Sequence, residues 1–187
     1  MRCLSPKEKA RMNWMVAFLA LPDGGVRAEF PDEIACADRL AAVRWPHGVS
    51  CVRCHSTDVG FLELRKLYHC RNCRRQFSVT SGTIAHRSRL ELSFWFIAAE
   101  DIITAHAKGV ADALLTGHGL ADRYGISYAA TYRLKQLLMR DLSVPTGLFR
   151  ASVCVRGFTI PPDIASSDLD RFLWLVEQMT APVPGYD

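Results

Sequence analysis

A chain of 187 residues, 49% hydrophobic and 22% charged, fits a globular protein with one ordinary core or two small modules, and two modules is the arrangement expected here. Three of its seven cysteines, Cys3, Cys36 and Cys154, are scattered and odd in number, which argues against a disulfide framework and suits a reducing cytoplasm. The formal net charge of +4 counts thiols as neutral, and four thiolates around one dication would lower it by two, so global charge decides little.

Residues 1–29 read as an N-terminal extension with little order. Its apolar run Trp14 to Leu21 follows Lys7, Lys9 and Arg11 but is too short to span a bilayer, and Phe18 spoils the small-residue pattern of a signal-peptide cleavage site. Pro31, Asp32 and Glu33 then open a helix that carries Ile34, Ala37, Leu40 and Ala41 on one side, with acids near the positive end of its dipole. The helix ends before Trp45-Pro46-His47-Gly48.

The strongest chemical signal follows. Cys51, Cys54, Cys70 and Cys73 stand as C-x2-C, fifteen residues, C-x2-C. Two thiolates from each turn can face one metal, and four saturate a tetrahedral Zn2+ with no position left for water or substrate, so the expected site is structural. His47, His55 and His69 are substitute ligands that a complete thiolate set makes unnecessary. The alternative is four ordinary thiols or a redox pair. Residues 60–68 and 76–80 read as short ribbon strands, with Phe61, Leu67, Tyr68 and Phe77 covering the metal.

From Arg65 to Leu90 the chain carries Arg65, Lys66, Arg71, Arg74, Arg75, Arg87 and Arg89 and no acid, a candidate phosphate-binding surface whose alternative is a solvated face that binds nothing. Ser88 and Glu91 suggest a capping box ahead of a buried helix over residues 92–107, in which Glu100 and Asp101 are expected to be solvated and His106 to carry no chemistry. Beyond Thr116, residues 120–127 and 128–140 read as helix, turn, helix: Ala121 is small at the crossing, Gly125 supplies a left-handed turn, and Ser127 caps the second helix. Leu134, Leu137 and Leu138 face inward. In DNA-binding versions the second helix enters the major groove by its N-terminal residues, here Tyr128, Ala129, Tyr132 and Arg133, with Arg133 and Lys135 reaching phosphate or guanine. An ordinary helical hairpin fits the same pattern. Ser167 to Met179 reads as an amphipathic helix with Leu169, Phe172, Leu173, Val176 and Met179 apolar, able to cover the helical module or mediate self-association.

Taken together, Phe30-Pro31-Asp32-Glu33, Arg44-Trp45-Pro46-His47-Gly48, the two cysteine pairs with Tyr68-His69 before the second, and the run from Arg75-Gln76-Phe77 to Gly82-Thr83-Ile84 resemble the transposase zinc-ribbon family. The similarity continues through His86, Leu90, Trp95-Phe96, Lys108-Gly109 and Gly125-Ile126-Ser127-Tyr128, and covers residues 30–140. The resemblance implies a zinc ribbon and a helix-turn-helix that bind the terminal inverted repeats of an insertion sequence, upstream of an RNase H-like catalytic domain. Two departures stand out. Extra residues between Gly109 and Thr116 leave Gly117 and Gly119 in the first helix of the pair, each costing about 1 kcal/mol against Ala and suggesting a frayed helix. Ala129-Ala130 also replaces a Lys-Thr pair frequent in the family, which removes a phosphate contact.

The expected fold class is α+β, a small β zinc ribbon followed by a mainly α-helical helix-turn-helix module: residues 1–29 extension, 30–85 ribbon with its preceding helix, 86–142 helical module, 143–187 a divergent tail with no resemblance. A frameshifted or truncated gene is the simplest account of that tail. The acids Asp141, Asp163, Asp168, Asp170, Glu177 and Asp187 do not form the expected carboxylate motif, and a catalytic domain of about 100 residues or more does not fit after residue 142. The expected function is therefore a zinc-dependent, cytoplasmic DNA-binding transposase fragment without strand-transfer activity and without a membrane segment. Its structural Zn2+ sits on Cys51, Cys54, Cys70 and Cys73; Arg71, Arg74, Arg75, Arg87 and Arg89 contact phosphates; Tyr128, Tyr132 and Arg133 contact bases. The alternatives are a protein-interaction or transcription-regulator module derived from a transposase, and an active transposase.

Overall fold

A computed structural model describes residues 3–164 and 167–180. The first helix, α1 (Pro6–Leu19), starts at a complete capping box: the Ser5 hydroxyl accepts from the Glu8 N–H, and the Glu8 carboxylate accepts from the Ser5 N–H at 2.8 Å. It buries Trp14, Met15 and Ala17, so the segment expected to have little order instead supplies one wall of the core. After the short α2 (Val26–Glu29) comes α3 (Glu33–Arg44), with Asp32 as N-cap accepting from the Ala35 N–H at 2.8 Å. Pro31 therefore lies just outside the helix that the sequence has it opening.

The ribbon is a three-stranded antiparallel sheet, β1 (Val59–Leu62), β2 (Leu67–Cys70) and β3 (Gln76–Phe77), in that order, with Phe61 opposite Tyr68 and Tyr68 opposite Phe77. The third strand is shorter than expected. From Ser78 the hydroxyls of Ser78, Thr80 and Ser81 bond one another within a turn, and such local bonds compete with a ladder.

The longest helix, α4 (Leu92–Lys108), is the hub, packing against α1, α2, α3 and the later helices. It ends at Gly109 in the left-handed conformation, φ 74°. The expected Ser88/Glu91 capping box does not form. Ser88 Oγ accepts from the Leu90 N–H and the Trp95 indole, and α4 is capped from elsewhere: the two carboxylate oxygens of Glu33 accept from Leu92 N–H at 2.7 Å and Ser93 N–H at 2.8 Å. Glu33 is the first residue of α3, so one side chain fastens the ribbon's leading helix to the start of the hub. Glu33→Ala is expected to cost about 1–2 kcal/mol, while Glu33→Gln, which keeps one acceptor, should cost less; urea unfolding of both variants checks the ranking.

Helix α5 (Ala111–Leu114) is one turn, and α6 (Gly117–Tyr124) and α7 (Tyr128–Leu142) form the expected pair, with Gly125 at φ 63° and the Ser127 hydroxyl accepting from the Ala130 N–H. The two glycines expected to fray α6 lie in its first turn and not in its interior. A Cβ at Gly117 would fall 2.4 Å from the Tyr128 ring, so glycine there lets Tyr128 lie close against α6. Glu100 and Asp101 are not solvated as expected. Glu100 accepts from the Val26 N–H at 3.0 Å, and Asp101 accepts from Tyr124 Oη at 2.6 Å and Arg123 Nη2 at 2.8 Å, tying the end of α6 to α4.

Past residue 142 the chain stays in the core. Asp141 accepts from three N–H groups at the start of α8 (Leu148–Val153), those of Leu148, Phe149 and Arg150, at 2.9, 2.9 and 3.0 Å. Burial nonetheless holds its carboxyl above the usual range, because desolvation outweighs the three bonds. The turn works only with glycine at 147, since a Cβ there would sit 1.9 Å from the Asp141 carbonyl oxygen. Phe149 is fully buried against Trp95 and Phe96. Arg39 of α3 donates to the carbonyls of Ala151 and Ser152, and the buried Arg150 donates to those of Leu142 and Asn13.

The amphipathic helix expected from Ser167 is α9 (Asp168–Thr180), with the Ser167 hydroxyl accepting from the Asp170 N–H. It packs on α1, with Lys9 bonded to Asp168 at 2.7 Å. Its buried residue is Leu175, whereas Leu173, expected to face inward, is 56% exposed. Among the described residues no helix is long and apolar enough to cross a membrane.

Candidate metal centre and basic cleft

Each C-x2-C pair folds into the same knuckle. The Cys51 carbonyl accepts from the His55 N–H, the Cys51 N–H donates to Ser56, and correspondingly the Cys70 N–H donates to Arg75. The residue after each pair, His55 at φ 59° and Arg74 at φ 57°, takes the left-handed conformation that closes the turn. His55 is thereby a turn residue. His47, His55 and His69 all lie outside the four-cysteine group.

The four Sγ atoms lie within 4.8 Å of one another, with Cys51 to Cys73 at 3.6 Å and Cys54 to Cys70 at 3.5 Å. A tetrahedron of sulfurs at the usual Zn–S length has edges of about 3.8 Å, so the donor set fits a tetrahedral dication. The main chain is arranged for thiolates. The Arg53 N–H approaches Cys51 Sγ at 3.4 Å and the Cys73 N–H approaches Cys70 Sγ at 3.5 Å. Burial pushes the Cys51 thiol up, but N–H groups of Cys54 and Arg53 and the neighbouring thiols pull it down further, to about 6. Cys73 is held near 11, because burial and three adjacent sulfurs outweigh its N–H bond from Arg75. A dication among the sulfurs is what allows such a group to ionise together.

Over the sulfurs pack Phe77, Tyr68 and Trp45, with Trp45 edge-on to Tyr68 at 5.3 Å. Phe61, expected among them, touches Tyr68 but is 44% exposed. Trp45 was not identifiable as a cover from spacing alone; Arg44, stacked on its ring at 4.6 Å, also grips the carbonyls of Val79 and Ser81 and fixes the chain leaving the ribbon.

The basic residues fall into two groups. Arg71, Arg74 and Arg75 sit exposed on the second knuckle, with Arg71 bonded to Asp58 at 2.9 Å. Arg87 and Arg89, on the segment between ribbon and hub, join Arg133 of α7 around a cleft of about 420 Å3. Ala129 and Ala130 form part of its wall, and His86, which no sequence pattern marked as a contact, adds a further ring. Tyr128 and Tyr132 lie on the other flank of α7, half-exposed and stacked on each other at 6.3 Å. Lys135 is not free for phosphate: its Nζ donates to the Leu115 carbonyl at 2.5 Å.

A four-thiolate ribbon leading into a helix-turn-helix with cationic side chains beside its second helix is thus the class of architecture this chain adopts. Residues 31–76 match the family described as "Transposase zinc-ribbon domain", and the four cysteines within that stretch are placed to hold a structural metal ion. A protein of Halobacterium salinarum described as "Uncharacterized protein in transposable element ISH50" is 26% identical over 145 residues, 76% of this chain. The chain spans about half of that relative, 47% of its length. No solved structure matches the chain.

Proposed function

We propose that this chain is the DNA-binding part of an insertion-sequence transposase, holding transposon-end duplex in the cytoplasm through a zinc-ordered ribbon and α7 without itself cutting or joining strands. The observation that carries this reading is the convergence of Arg87, Arg89 and Arg133 on one cleft beside the exposed N-terminal half of α7. Phosphates neutralised there position a duplex, and Tyr128, Tyr132 and Arg133 face its base edges. Arg71, Arg74 and Arg75 extend the cationic surface along the knuckle. Strand transfer uses carboxylates that hold two metal ions with open positions, whereas four cysteines close their ion off, so the zinc centre is read as structural and not as the place of that chemistry. Cleavage or joining of transposon ends by this chain in Mg2+ or Mn2+ would refute that part.

Affinity for duplex should fall steeply with salt, by about 0.9 in log-log slope per phosphate contact. Replacing Arg87, Arg89 and Arg133 together by alanine should flatten the slope by roughly 2 to 3. Competition between terminal-repeat and random duplex reads out specificity. A second reading, a protein-contact module, is favoured by Ile34, Phe61 and Leu64, apolar side chains exposed on the ribbon side. It predicts a flat salt response.

A further inference from the structure

The flank of α7 opposite the arginine cleft holds a second cavity of about 420 Å3, and its lining differs in kind. Two half-exposed rings, Tyr128 and Tyr132, form one side, and around them stand Asp112, Gln136 and Lys135. At its base lies His106, whose Nε2 is the buried side-chain polar atom without a hydrogen-bond partner among the described residues. The ring cannot turn away easily, because it stacks on Trp14 at 4.6 Å and 19°. Buried polar atoms are nearly always bonded, and this one is an exception that lies covered beneath the lining. Gly117 contributes by what it lacks: its missing Cβ is what lets Tyr128 lie over the start of α6.

We infer that this cavity receives an unpaired nucleobase, so that α7 reads a base out of the stack on one flank while the arginine cleft holds backbone on the other. The inference rests on the DNA-binding reading above. Flat aromatic rings match the faces of a base and tolerate any of the four. Asp112 accepts from an exocyclic amine, and the Gln136 amide both donates and accepts along a base edge. Lys135 lines the cavity with its ammonium committed to the Leu115 carbonyl. A fully paired duplex presents its bases edge-on and leaves the cavity unused.

The test compares two duplexes of identical sequence, one with a single 2-aminopurine bulged and unpaired, the other with the same 2-aminopurine paired to thymine, at a salt concentration where both bind. The bulged duplex is expected to bind about tenfold more tightly, with the fluorophore quenched further on binding. Tyr132→Ala should abolish the preference, read as the ratio of the two affinities whatever it costs both duplexes in common, while Tyr132→Phe retains it; Tyr132 is 53% exposed, so neither change threatens the fold. Equal affinity for the two duplexes, or a preference that survives Tyr132→Ala, overturns the base site and leaves the DNA-binding reading standing. Binding of neither duplex overturns both.

Discussion

Stripping the metal with a chelator, or replacing Cys70 with serine, is expected to unfold the ribbon and to lower DNA affinity at least tenfold. Structural zinc contributes apparent binding free energies on the order of 10–16 kcal/mol in small zinc modules, and that energy is folding energy. Here the apolar cluster around the sulfurs contains three buried residues, Cys51, Cys70 and Phe77, two of them ligands, so little else would hold β1 to β3 together. The knuckle orders the backbone of Arg71, Arg74 and Arg75, and Arg44 and Glu33 carry the ribbon's position to the segment bearing Arg87 and Arg89. One zinc per chain by metal analysis, loss of the tyrosine and tryptophan near-ultraviolet signal on chelation, and a parallel loss of duplex binding would check the link. Chelation that melts the ribbon and leaves affinity intact would show that α7 binds alone.

The second large effect concerns the segment that follows α7. Phe149→Ala is expected to destabilise the protein by about 3–5 kcal/mol, the range for removing a fully buried phenylalanine, whereas Leu173→Ala, on the exposed side of α9, should change stability by under about 0.5 kcal/mol. Phe149 sits against Trp95 and Phe96 of the hub, so its loss opens a cavity in the core and not at its edge. Thermal or urea unfolding of the two variants, measured with zinc bound, separates a tail that is part of the fold from one that merely lies on it. Equal, small effects would mean that residues 143–187 contribute nothing to the helical module.

What the sequence disclosed was what is encoded locally. Four cysteines within two short turns define their own geometry, Gly125 and Ser127 define a turn and a cap within three residues, and the leucines of α7 follow a single helical period. The missed features depend on partners far along the chain. Nothing near Leu92 announces that its N–H is bonded by Glu33, and Asp101 reads as a surface acid until Arg123 and Tyr124 are brought to it. In α9 the apolar residues are dense enough for two overlapping faces, one through Leu173 and one through Leu175, and the choice belongs to α1. The two flanks of α7 were also invisible as separate sites, because residues one apart on a helix, such as Tyr132 and Arg133, read as neighbours in sequence yet point into different cavities.

The anchoring of α8 has a consequence for how this chain can change over time. Arg39 and Arg150 grip main-chain carbonyls, and Asp141 grips main-chain N–H groups, so each recognises the path of the backbone and is indifferent to most of the side chains it carries. A segment held in that way can exchange most of its residues, Gly147, Phe149 and Arg150 excepted, and still dock. Sequence comparison would lose sight of it long before the fold did.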